Sequence, residues 1–243
     1  MNNSLVKIGV ICPCPEEYQS CKKILKLNNE IKLAGRFISS RREKDIEVIA
    51  IEAGAGKICS ASASQLIIDK FEPDFIFDVG AAGSLSEKLS INDIVCAEHS
   101  FEYDACKREE LTKIPDDLKT STVLNEVSSQ KVLKEFLNWV GKNTGVIIKV
   151  DNIASGDKDV DNKELCRDLH EKLNAIACDW ETSSVLKTAQ LNGIKSLSFR
   201  VITDNADERM NDDYKANNKK ALEIMFSVLK KFIFEGWINK INK

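Results

Sequence analysis

The sequence predicts an α/β fold, a three-layer α/β/α sandwich around a central mixed, mostly parallel sheet. Three observations carry that prediction. Short, β-rich apolar runs alternate along the chain with segments of helical period. Several of the runs are nearly continuous rather than alternating, as strands covered on both faces are. The runs end in glycines or acids, at the place where open α/β sheets hold their ligands.

Val6–Cys12 reads as the first strand and leads to a helix from Glu16 to Leu27. Ile46–Ile51 is a second strand, ending in Ala53-Gly54-Ala55-Gly56-Lys57, and Ile58 to Lys70 follows with small and apolar residues at helical spacing. Phe75–Val79 is a strand that enters a loop, Gly80-Ala81-Ala82-Gly83, and Asp93–Ala97 is another. Residues 106–130 are the least regular stretch, a flexible insertion or part of a site rim. A polar, helical 125–140 region precedes the strand Val146–Ile153. Ala175–Cys178 is a short strand leading into a helix from Glu181 to Leu191. Ser196–Thr203 closes the series before a long helix, Ala216–Phe234, whose Leu222, Met225, Leu229 and Phe232 form one stripe for packing on the sheet.

Composition bounds the function. The 243 residues, 43% apolar and 30% charged, fit one soluble globular domain spanning 1–243. A net charge of −3 offers no electrostatic case for nucleic acid or an anionic membrane. The apolar run near Met1 is too short for a signal peptide, and no run approaches the ~20 apolar residues of a membrane span. The expectation is a cytoplasmic protein. Its eight cysteines include no C-x-x-C pair and only two histidines accompany them, so they read as reduced, small hydrophobes rather than metal ligands.

The chemistry concentrates in Phe199-Arg200-Val-Ile-Thr203-Asp204. An arginine inside an apolar strand costs several kcal/mol unless acids meet it, and Glu17 and Glu181 are the natural partners. Strand ends at Pro13-Cys14-Pro15-Glu16-Glu17, Gly54/Gly56, Gly80/Gly83, Cys178-Asp179-Trp180-Glu181 and Thr203-Asp204 converge on one crevice if their strands are neighbours. Glycines there admit backbone amides to a ligand, and carboxylates there grip hydroxyls or act as acid and base. Each residue also has a plainer reading. Glu16, Glu17 and Glu181 fit first-turn acids of helices, Asp204 an N-cap, Gly54 and Gly56 a turn, and Trp180 a core aromatic.

Taken together and in order, these segments resemble the nucleoside phosphorylase/nucleosidase superfamily, and most of all the 5′-methylthioadenosine/S-adenosylhomocysteine nucleosidases. The resemblance rests on Lys7-Ile-Gly-Val-Ile, Glu16-Glu17, Gly54-Ala55-Gly56-Lys57, Pro73-Asp74 with Gly80-Ala81-Ala82-Gly83-Ser84-Leu85, and Asn92-Asp93-Ile94-Val95. Ser155-Gly156-Asp157, Asp179-Trp180-Glu181 and Arg200 to Asp207 complete it. It implies a nucleoside phosphorylase-like fold and hydrolysis of an N-glycosidic bond, releasing adenine from a 5′-substituted thioribose, without cofactor or metal. It also implies a cytoplasmic homodimer of nucleoside catabolism and methionine salvage, with a neighbour helping to close the 5′ pocket. By the same resemblance Asp204 protonates the leaving purine, Glu17 deprotonates the attacking water, Arg200 stands near that water and its base, and Glu181 grips the ribose hydroxyls. Trp180, Asp179, Ala81, Gly83, Ala55, Cys14, Val160 and Tyr214 match substrate-binding positions.

Water is a better acceptor than phosphate here, because phosphate wants arginines and amide nests. The turn after the first strand offers two glutamates instead, and no arginine precedes Arg36. The chain departs from the family at the walls. Trp180 and Cys14 stand where methionine is usual, Ala55 replaces a larger aliphatic residue, Ala81 a serine, and Asp159 a phenylalanine against the base. Competing readings are a nucleosidase for another 5′-modified purine nucleoside and a non-catalytic nucleoside-binding module on the same fold. A Rossmann methyltransferase, resting on the glycine loop alone, is the most distant.

Overall fold

A computed structural model describes residues 5–122 and 127–241. The expected helix over 125–140 therefore begins outside the described residues, and so does part of the irregular 106–130 stretch. The chain opens with β1 (Val6–Cys12) and α1 (Pro15–Leu25). Pro15 supplies a fixed φ at the first helical position, where no amide hydrogen is needed. Next come β2 (Asn29–Leu33), β3 (Arg36–Glu43), β4 (Ile46–Glu52) and α2 (Lys57–Phe71). β5 (Phe75–Ser84), β6 (Ile94–Glu102) and β7 (Lys119–Ser121) lead to α3 (Val127–Thr144) and β8 (Ile148–Ser155). The second half holds α4 (Lys163–Leu173), β9 (Ala175–Asp179), α5 (Thr182–Leu191), β10 (Lys195–Asp204), α6 (Met210–Phe234) and α7 (Trp237–Ile241).

The mixed central sheet is as expected, and its parallel pairings, β1 with β4 and β5, β5 with β10, and β8 with β6 and β9, form its middle. β5 changes neighbour along its length. Its first half lies beside β1, while Gly83 and Ser84 lie antiparallel to Cys178 and Ala177 of β9. Because β10 pairs with both β5 and β6, the strands β5, β10, β6, β8 and β9 close a ring. Closure pulls the carboxyl ends of β5, β9 and β10 together.

Both sheet faces are covered. Ile8, Val10 and Cys12 of β1 face one layer, with Tyr18 and Cys21 of α1 and Phe226, Leu229 and Phe232 of α6. Ile11 faces the other layer, against Ala63 and Ile67 of α2. This alternation explains why the strand reads as a continuous apolar run. Phe77, Phe136, Phe199 and Phe232 form the aromatic centre, with Phe232 edge-on to Phe77 at 5.6 Å and to Phe136 at 4.6 Å. No helix among the described residues is long and apolar enough to cross a membrane.

Two expectations need correction, and one hairpin is additional. Gly80-Ala81-Ala82-Gly83 is not a loop, since β5 runs through it, each residue facing a partner on β10. The long helix starts at Met210, not Ala216, which carries its first turns over the strand ends. The β2–β3 hairpin, turned by Ala34 and Gly35 at φ 49 and 79, was not anticipated.

Candidate active site

The site is built on Arg200. It sits mid-β10, opposite Gly80 of β5, and is 1% exposed. Its Nη2 donates to Asp78 Oδ1 at 2.7 Å, its Nε meets Asp179 Oδ2 at 2.8 Å, and its Nη1 donates to Glu181 Oε2 at 3.2 Å. The requirement for acidic partners is met, but the partners differ from those expected. Glu181 is one, Asp78 and Asp179 replace Glu17, and Glu17 lies across Gly80 instead. A Cβ on Gly80 would stand 2.4 Å from Arg200 Nη1 and 2.7 Å from Glu17 Oε1, so only glycine leaves room for this meeting. Burial would pull the Arg200 pKa down, but Asp179, Asp78, Glu181 and Glu17 together hold the guanidinium protonated.

Glu17 comes from the first turn of α1, and both its oxygens accept amide hydrogens: Oε2 from Cys14 at 2.8 Å and Oε1 from Ala81 at 2.9 Å. Burial pushes its pKa up to about 7, against the opposing pull of Arg200 and of these two amides. Glu181 enters at the cap of α5, where its Oε1 accepts from Gly56 N at 2.9 Å, the glycine that caps α2 at φ 88. Burial pushes Glu181 up to about 8, with Arg200 opposing. Asp204 ends β10, accepting from Ala206 N at 3.0 Å and Thr203 Oγ1 at 2.9 Å. Burial raises its pKa, and those two donors only partly offset the rise. Gly83 makes room for it, since a Cβ there would lie 2.8 Å from Asp204 Oδ1.

These groups open on a cleft of about 320 Å³, a size suited to a small ligand. Glu17, Glu181, Asp179, Asp204, Trp180, Ala81, Gly83, Ala55, Cys14, Val160 and Tyr214 all line it. Arg200 does not; it stands behind the floor and acts on the cleft through Glu181 and Glu17. Cys178 and Thr203, named among the converging strand ends, also line the cleft, as do Ala82, Lys158, Met210 and Asn211, which the sequence did not single out as site residues. Met210 and Asn211 were hidden because α6 was expected to start later. Asp159, noted for its departure from the family, is on the wall as well. Asp78 was missed too, although an acid inside Phe75-Ile-Phe-Asp-Val carries the same signal as the mid-strand arginine.

One ion pair and two backbone amide hydrogen bonds tie Lys57, Asp104 and Asp157 together. Lys57 Nζ reaches Asp104 Oδ1 at 2.6 Å, Asp104 accepts Asp157 N at 2.8 Å, and Asp157 accepts Lys57 N at 2.8 Å. The eight cysteines form no disulfide, and Cys14 and Cys178 are among the residues lining the cleft. Among the described residues, no group of three or more His, Cys, Asp or Glu is arranged to hold a metal ion.

The chain is similar to known proteins over most of its length. The chain is 27% identical over 221 residues to the 5′-methylthioadenosine/S-adenosylhomocysteine nucleosidase of Staphylococcus aureus, covering 88% of this chain and 93% of that one. Among solved structures, the futalosine hydrolase of Helicobacter pylori matches with a TM-score of 0.85 at 26% identity, over 95% of this chain and 98% of the other. The 5′-methylthioadenosine/S-adenosylhomocysteine nucleosidase of the same organism matches with a TM-score of 0.85 at 25% identity, over 96% and 99%. The sequence model of the phosphorylase superfamily matches residues 7–233, and the chain belongs to that superfamily.

Proposed function

We propose that the protein hydrolyses the N-glycosidic bond of 5′-methylthioadenosine/S-adenosylhomocysteine-type nucleosides, releasing adenine and a 5-substituted ribose. The observation that carries this reading is the pair of buried carboxylates, Glu17 and Asp204, set at two points along β5. Their contact points, Ala81 and Gly83, are two residues apart, about 7 Å along a strand, which leaves room between them for a sugar and a water. Glu17, with its pKa near 7, is the base that takes a proton from the attacking water. Asp204, whose pKa burial raises, is the acid placed to give a proton to the leaving purine. Glu181 receives the ribose hydroxyls, and the surrounding carboxylates stabilise the positive charge that develops on the sugar.

Hydrolysis is favoured over phosphorolysis by the charge of the walls. Glu17, Asp159, Asp179, Glu181 and Asp204 line the cleft, and Lys158 is the cation among the lining residues. Arg200 is committed to three carboxylates, and Arg36 donates to Ala53 O, Cys59 O and Ser62 Oγ. A phosphate dianion would find little to hold it.

The deciding experiment incubates the purified protein with methylthioadenosine, S-adenosylhomocysteine, adenosine and inosine, each with and without phosphate, and separates the products. Phosphate-independent adenine release is expected, and phosphate-dependent release would reassign the chain as a phosphorylase. A second reading, a nucleosidase for another 5′-modified purine nucleoside, is favoured by Trp180, Ala55 and Asp159 on the walls and by the similarity to futalosine hydrolase. Faster turnover of futalosine than of methylthioadenosine would select it. The resemblance further supports a cytoplasmic homodimer in methionine salvage, and a single-chain mass in light scattering would remove the dimer.

A further inference from the structure

Asp78 lies halfway along β5 and is fully buried. Arg200 Nη2 reaches its Oδ1 at 2.7 Å and Arg200 Nε its Oδ2 at 3.2 Å. Ser198 Oγ donates to Oδ2 at 2.6 Å, and Thr182 Oγ1 lies 2.8 Å from the same oxygen. Arg200 and Ser198 donate to it, while the one hydroxyl hydrogen of Thr182 serves both Asp78 Oδ2 and Asp179 Oδ2. The two-point grip along one edge of the guanidinium fixes its plane. Nη1 is then left pointing at Glu181, with Glu17 just across Gly80. The same grip spends part of the arginine's charge on a carboxylate that never touches the cleft.

We propose that Asp78 is a positioning residue: it fixes Arg200 and, by sharing its charge, sets the pH at which Glu17 becomes an active base. The proposal rests on the reading of Glu17 as the base of a nucleosidase. Glu17 is faced by Cys12 and Cys14 from β1 and the turn after it, by Glu16 on its own helix, and by Asp78 from β5. Glu181 at the cap of α5, Arg200 from β10 and Tyr214 from α6 complete the set. Of these, Arg200 alone is cationic. Removing the charge at position 78 takes away a like charge and frees Arg200 to favour ionised Glu17, and both effects act in the same direction.

The test is Asp78→Asn, read by the pH dependence of kcat/KM for adenine release and by ¹³C NMR titration of the Glu17 carboxyl, assigned through its loss in Glu17→Gln. The acid limb and the Glu17 titration should both move down by about one pH unit. kcat should fall roughly 10- to 100-fold as Arg200 loses its fixed plane. A kcat or stability loss with the limb and titration unmoved overturns the proposal, because a purely structural aspartate would behave that way. Ser198→Ala keeps the charge and removes a donor, so it concentrates Asp78 on the cluster and should move both readouts up by a few tenths of a pH unit. That variant decides the matter if Asp78→Asn does not fold, with no shift or a downward shift counting against the proposal. If the native protein releases no base, the nucleosidase reading fails while the NMR titration still tests Asp78. If it releases base and neither variant shifts the titration, the positioning role fails and the nucleosidase reading stands.

Discussion

At the scale of single residues, the site is a problem of too many buried acids for one base. Arg200 faces Asp78, Asp179, Glu181 and Glu17, all of them buried. In a low-dielectric interior they cannot all be ionised at little cost, so the cluster retains protons at neutral pH. Burial lifts Glu17 to about 7, Arg200 pulls the other way and Asp78 adds a little to the rise; there a carboxylate is basic enough to take a proton from water yet is still ionised in half the molecules at neutral pH. The sign of the pH dependence follows. With Glu17 as the proposed base, its protonated form has no room for the proton of water, so kcat/KM should fall as pH drops below about 7. Glu17→Gln should lower kcat/KM by roughly 10²- to 10⁴-fold and erase that acid limb. Cleavage by this variant near the native rate would remove Glu17 from the role of base.

At the scale of elements, β5 is the strand on which the site is ruled. In ten residues it supplies Asp78 beneath Arg200, the gap at Gly80, the Ala81 amide to Glu17 and the gap at Gly83 for Asp204. Gly80→Ala should therefore displace Arg200 and Glu17 together, costing about 1–3 kcal/mol of stability by overpacking, and cutting kcat/KM roughly 100-fold. Urea denaturation and steady-state kinetics read the two losses, and a variant unchanged in both would refute the argument. The strands and helices that carry the site were legible because their side chains are apolar on both faces or acidic at the ends. β2 and β3 were not. Asn29, Glu30, Arg41, Arg42 and Glu43 give the hairpin a polar reading, because it lies at the periphery with one face in water. α4 was overlooked for the opposite reason: its signal was there, with Asn162 accepting from Leu165 N at the cap and Leu165, Leu169 and Leu173 four residues apart, but it is short and bears charges between them. The identities of Arg200's partners depended on register. Which acid stands beside a mid-strand arginine follows from strand order, and the crossing of β5 from β1 to β9 was not written in any single segment.

At the scale of the whole molecule, the aromatic centre and the buried charges occupy opposite faces of the same strands. Phe77 and Phe199 anchor β5 and β10 to α6 through Phe232, while one residue onward Asp78 and Arg200 begin the charged cluster. Core packing holds the ledger of the buried charges open. Phe232→Ala should cost about 3–5 kcal/mol, seen as a lower urea midpoint. At temperatures where the variant remains folded, the acid limb of kcat/KM should stay where it is in the native protein, since no titrating group moves. A shifted limb would mean that the helix layer tunes the site directly.

The ring of strands has one more consequence, for the solubility of the folded chain. Closing five strands on one another removes the free rims through which sheets template unwanted pairing with other chains, and the long path of the sheet ends on β2. That strand is short and flat to solvent, and its exposed Ile31 is flanked by Glu30 and Lys32, with the Lys32 ammonium lying over the Phe37 ring. A second molecule seeking to extend the sheet would have to desolvate those charges before gaining any hydrogen bond. The residues that hid the hairpin from a hydrophobic reading are thus the ones that keep its open rim from growing into a fibre.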